Sequence, residues 1–134
     1  MPPLEDKTEE PSAPGQSLAV WAEALYLCNL LLVPGVCFVV LLWLYFKHRR
    51  SAPKLAVCHL RQTVAGSLWA GFLLGIVSLI ILAFGGTHSG VTWMTLITYL
   101  VCFHTTLVML GILGLSKAMA GQPYVYPLIG RPCD

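Results

Sequence analysis

Residues 62–116 read QTVAGSLWAGFLLGIVSLIILAFGGTHSGVTWMTLITYLVCFHTTLVMLGILGLS, a run of 55 residues without one Asp, Glu, Lys or Arg. A membrane-crossing helix needs about 20 apolar residues, so the run is too long for one crossing and fits two. Gly85-Gly86-Thr87-His88-Ser89-Gly90 interrupts it with a polar, turn-forming cluster. The expected spans are therefore 62–84 and 91–117. The composition around this run agrees. Of 134 residues, 57% are hydrophobic and 10% charged, against roughly 45–50% and 25% in soluble domains. Eight Lys+Arg and six Asp+Glu cannot give a soluble fold of this size its charged skin, and the length allows one small domain. The expectation is an all-α membrane protein whose solvent is the lipid bilayer, with no nucleic-acid partner.

Upstream, residues 18–46 carry a single charge, Glu23. As one helix they would extend about 43 Å at 1.5 Å per residue, more than the roughly 30 Å hydrocarbon core. The excess would lie at the boundaries, where Trp21 and Tyr26 at one end and Trp43 and Tyr45 at the other suit the aromatic belts. Pro34-Gly35 falls in the middle. Proline removes an amide donor and clashes with the preceding turn, so a helix kinks there. A re-entrant hairpin of two half-helices is the other arrangement such a pair permits, since 29 residues are too few for two complete crossings. The single kinked span is the expectation, which makes three transmembrane helices joined by short loops. Residues 18–130 then form one multi-pass domain between an acidic, proline-rich, disordered tail (1–17) and a short C-terminal tail (131–134).

Basic residues set the orientation. Lys47, Arg49, Arg50 and Lys54 crowd the first connection, Arg61 follows, and Lys117 and Arg131 come after the last span. In a three-span chain these seven share one side, and Lys7 alone takes the other. The positive-inside rule places the basic side in the cytoplasm, with the N-terminus outside, the C-terminus inside, and a bacterial inner membrane as the setting. The acidic leader lacks the features of a signal peptide.

Little in the chain suggests chemistry. His104 is near the middle of the third span, and His59 precedes the second by a depth that keeps the two from sharing a haem. His48 and His59 have no Cys-x-x-Cys or His-x-x-x-His beside them, so neither metal nor cofactor is expected. Cys28, Cys37 and Cys102 read as small hydrophobes within spans. Cys58 and Cys133 read as cytosolic thiols, with five scattered cysteines giving no disulfide framework. His104, an ionisable group at mid-membrane depth, is expected to hydrogen-bond a neighbouring carbonyl or hydroxyl. Glu23 has no partner close in sequence. No nucleophile–base pair, paired carboxylates or phosphate-cradling loop appears, and an enzyme is not expected. Ser67, Gly71, Gly75 and Ser78 line one helical face, with Gly111 and Gly114 a second strip. Small residues let helices approach closely in lipid, and these two strips are expected to pack the second and third spans together.

Two boundary stretches are the most distinctive: Cys58-His59-Leu60-Arg61-Gln62-Thr63-Val64, and Gly121-Gln122-Pro123-Tyr124-Val125-Tyr126-Pro127-Leu128. Together they resemble a widespread family of small bacterial membrane proteins of unknown function, which includes the MamF-like magnetosome proteins and is distantly similar to the twenty-kilodalton Tic subunit of chloroplast protein import. His59, Arg61 and Gln62 fall on its first motif, and Gly121, Tyr124, Tyr126 and Pro127 on its second; Thr63 departs from the usual alanine. The resemblance implies a proline-broken first helix followed by two more. On a helix His59 and Gln62 share a face, and the Tyr-x-Tyr-Pro segment is expected to fold back so that its phenols satisfy His59 or Gln62. The functional expectation is a non-enzymatic accessory or assembly component of a larger membrane complex, associating with other subunits or with itself. The alternative, to which the Tic similarity points, is an oligomeric transport component with Thr95, Thr98, Thr105, Thr106 and His104 lining a pore.

Overall fold

A computed structural model describes residues 12–133. Five α-helices follow in order: α1 (Gln16–Leu31), α2 (Val36–His48), α3 (Lys54–Ala70), α4 (Val77–Gly85) and α5 (Gly90–Met119). A π-helical turn, Gly71–Ile76, joins α3 to α4 without a break. The result is one 32-residue rod, Lys54–Gly85, beside the 30-residue α5, both long and apolar enough to cross a membrane. Their mean hydropathies reach 2.4 and 2.0. The wider i→i+5 winding of the π turn loosens the backbone ladder, and the Tyr99 hydroxyl donates to the Leu73 carbonyl there at 2.6 Å. At the far end Thr92 Oγ1 donates to the Gly85 carbonyl (2.7 Å) and Trp93 Nε1 to the Thr87 carbonyl (2.8 Å), fixing the tight α4–α5 connection.

The proline-broken first segment is not the single kinked span expected from sequence. It turns back on itself. α1 has 16 residues and α2 has 13, about 24 and 20 Å, so neither crosses a roughly 30 Å core. The reversal is built from local chemistry. The Leu32 and Val33 amides both reach the Cys28 carbonyl, Asn29 Oδ1 accepts the Gly35 N–H at 2.9 Å, and Gly35 takes φ +89°, a region L side chains avoid. Cys28 and Cys37 then face each other across the turn, sulfurs 2.8 Å apart. Gly15 before α1 lies against Pro53 and Ala56 of the α3 start, and α2 ends five residues ahead of α3. The hairpin thus enters and leaves at one end of the long pair, with its tip beside residues 67–76.

Three further expectations change. Gln16 Nε2 donates to the Met119 carbonyl at 2.6 Å, so the first described residues lie at the same end as the close of α5, not at the opposite end of a three-span chain. The seven basic residues from Lys47 to Arg131 gather at that end too. The second span also begins earlier than expected, at Lys54, because Pro53 (ψ 153°) is extended and directly precedes the helix. Residues 1–11 of the acidic tail lie outside the described part, and residues 16 and 17 are already helical.

Between hairpin and rods, Ala22, Leu41, Leu60 and Val64 form the apolar core, flanked by Leu18, Leu25 and Tyr45. Above the hairpin tip the two rods stand alone, and α4 has no buried residue.

Candidate functional site

The only described carboxylate of α1 is completely buried. Glu23 is held between α3, α5 and the returning C-terminal segment, and His59 and Gln62 are equally inaccessible. His59 Nδ1 meets Glu23 Oε1 at 2.6 Å. On its other side, His59 Nε2 reaches the Gln122 carbonyl at 2.9 Å. A carbonyl has no proton to give, so Nε2 carries one. The single proton in the Glu23–His59 contact then leaves the pair with no net charge, whichever atom holds it. The Tyr126 hydroxyl donates to Glu23 Oε2. Burial, and then the Glu23 charge, push the Tyr126 phenol far above its ordinary value, so it stays protonated and acts only as a donor here.

Each partner is delivered by a local device. α5 ends in a Schellman motif, in which the Gln122 amide reaches the Lys117 carbonyl (2.9 Å) and the Gly121 amide the Ala118 carbonyl (3.0 Å). This turns the chain back over α3 and aims the Gln122 carbonyl at His59. Gln62 then clamps the tail. Its Oε1 accepts the Arg131 N–H (2.9 Å) and the Tyr126 N–H (3.5 Å), and its Nε2 donates to the Arg131 carbonyl. Thr63 Oγ1 donates to the His59 carbonyl at 2.9 Å. Tyr26 packs against Tyr126 with ring centroids 5.5 Å apart and planes tilted by 57°, and donates to the Leu107 carbonyl.

The family-motif residues do come together, but not through the contacts expected. The Tyr126 phenol goes to Glu23, not to His59 or Gln62, and Gln62 is bound through backbone groups. Tyr124 packs its ring 5.5 Å from that of Tyr126. Pro127 sits in the turn closed by the Gly130 amide on the Tyr126 carbonyl, and Arg61 Nη1 donates to the Pro132 carbonyl at 3.3 Å. Glu23 is the residue that sequence reasoning left unpaired. Its signal is its solitude, the single charge in the 29 residues 18–46, and a three-span topology places it on the wrong side. Tyr26 is likewise no boundary anchor: it is fully buried.

The small-residue strips serve different ends. Gly111 and Gly114 pack against α1, where an added Cβ would meet Tyr26 Cε1 at 2.7 Å and Glu23 Oε2 at 2.5 Å. Gly71 and Gly75 touch nothing within 4 Å of such a Cβ, so they do not join the long helices to each other as expected. They flank a cavity of about 710 Å³ between the hairpin tip and the π turn. Ser67 lines it, 5% exposed, with its hydroxyl unpartnered. His104 Nε2 donates to the Leu30 carbonyl at 3.1 Å, one of the carbonyls a helix leaves orphaned at its C-terminus. Cys58 and Cys133, expected as free thiols, are joined in a disulfide. Comparison with known proteins found no matching family model, no matching curated sequence and no matching solved structure.

Proposed function

We propose that the chain is a non-enzymatic, multi-pass integral membrane protein that serves as an accessory or assembly component of a larger membrane complex. The observation that carries this reading is the unfilled face at Gly71 and Gly75, with the unpartnered Ser67 hydroxyl beneath it. In lipid, bare glycine faces favour close helix contact. Membrane insertion is supported by the outward large apolar side chains of the rods, among them Leu79, Phe84, Val91, Met94 and Val101. The collected Lys and Arg residues support the basic end, with both described chain ends, as the cytoplasmic side of a bacterial inner membrane. A non-enzymatic role is supported by Glu23, His59 and Tyr126, which are buried and bound to one another. The two-motif resemblance to the MamF-like family is compatible with this role. An oligomeric transport component resembling the Tic subunit draws less support: Thr95, Thr98, Thr105 and Thr106 are exposed, but His104 is engaged within the chain.

The test is purification of the tagged full chain in mild detergent, compared with Gly71→Leu. Defined foreign subunits that accompany the wild type and are lost from the folded variant support the proposal. A wild type that runs only as a monomer or a homo-oligomer overturns it, the latter in favour of transport.

A further inference from the structure

The Cys58–Cys133 disulfide closes a loop of 75 residues' separation, with Cα atoms 5.0 Å apart. It borders a cavity of about 260 Å³ whose described lining includes Arg49, Lys54 and Arg61 and no carboxylate. Cys58 lies in the second turn of α3, with Lys54 four residues before it and Arg61 three after, so both cations share its helical face. Cys58 is 4% exposed, while Cys133 is more open. Gln62 Nε2 lies 3.6 Å from Cys133 Sγ.

We propose that this pair is a thiol–disulfide exchange site for a small anionic thiol, one carrying carboxylates. The cations draw the carboxylates in, and the thiolate attacks the open sulfur, Cys133 Sγ. A bond forms between the incoming sulfur and Cys133 Sγ as the Cys58–Cys133 bond breaks. The electron pair leaves on Cys58 Sγ, where the first turns of α3, Lys54 and Arg61 stabilise a thiolate. A second thiol of the same class attacks the incoming sulfur of the mixed disulfide. It leaves as the small-molecule disulfide, and Cys133 is freed as a thiolate. The protein disulfide gains two electrons and two protons, and two small thiols are oxidised to one disulfide. The chemistry is the same in either compartment. A reducing cytoplasm keeps the pair open until oxidation closes it, and an oxidising space keeps it closed. With the pair open, the tail beside Cys133 is still held by the Gln62 clamp on Arg131 and by the Arg61 hydrogen bond to the Pro132 carbonyl.

The test uses the full chain with Cys28→Ala and Cys37→Ala, because their sulfurs lie 2.8 Å apart and diamide would join them as well. In detergent micelles it is oxidised with diamide and then exposed to mercaptosuccinate or to uncharged 2-mercaptoethanol at equal thiolate concentration. Acid quenching, alkylation and intact mass count the thiols. The expected result is a rise from one alkylated cysteine, Cys102, to three. Mercaptosuccinate should act faster by about 10-fold or more, the scale of electrostatic steering, and that advantage should collapse in about 1 M salt and in Arg49→Gln/Lys54→Gln. In Cys58→Ser, diamide with mercaptosuccinate should leave a mixed-disulfide adduct on Cys133. Three alkylatable thiols after diamide treatment, or equal rates for the two thiols, would overturn the proposal.

Discussion

At the scale of single residues, the protein's polar interior depends on mutual satisfaction. Removing one partner of a buried ion pair costs about 3–5 kcal/mol, because the other is left uncompensated. Glu23→Ala and His59→Ala are each expected to lose that much, and the double variant clearly less than the sum. Tyr126→Phe removes a hydrogen bond to a charged group, a loss of about 1.5–3 kcal/mol. Denaturant titration in micelles measures all four proteins. Additive losses for Glu23 and His59 would mean the 2.6 Å contact is absent in solution. His59 and Tyr126 were recognisable in the sequence as motif residues. Their shared partner was not, because Glu23 is distant along the chain from both and only the hairpin brings it to their end.

Helices pose a different question, namely which small residues are structural. Gly114 presses its bare Cα on Glu23, so Gly114→Ala forces the carboxylate out of its contacts and should cost about 1–3 kcal/mol. Gly71→Ala meets open space and should be neutral or stabilising by about 0.5–1 kcal/mol, since alanine is the better helix former. Equal effects of the two in thermal unfolding would contradict the packing described. Sequence spacing alone made both strips look alike. What separates them is which neighbour arrives: α1 covers Gly111 and Gly114, while the hairpin tip leaves a cavity between itself and the π turn. At the hairpin tip, Gly35→Ala has steric room but an unfavourable backbone, and should cost about 1–2 kcal/mol without loss of the Glu23 cluster.

For the molecule as a whole, the hairpin sets where each end emerges. In a cysteine-free background, single cysteines at Ser17 and Ala120 should react with a membrane-impermeant maleimide from one face of sealed vesicles, and a cysteine at Thr87 only from the other. Reaction of the residue 17 and residue 120 cysteines from opposite faces would restore the three-span topology and remove Glu23 from His59. The basic residues are informative on this scale because their clustering survives the change of topology. Lys47 through Arg131 share an end whether the first segment crosses or returns.

By itself, the amino-acid sequence determined an all-helical chain with two long apolar helices and one proline-broken segment. Those features rest on hydropathy run length and on proline's missing amide, both local properties. Tertiary structure decided the path after Pro34. A kink and a reversal start from the same dipeptide and differ in the Asn29 cap on Gly35 and in what α2 finds to pack against. Once the segment turned back, the lone carboxylate, the motif histidine and the C-terminal tyrosine met, because partners 36 and 103 residues apart are joined by packing, which no local pattern encodes.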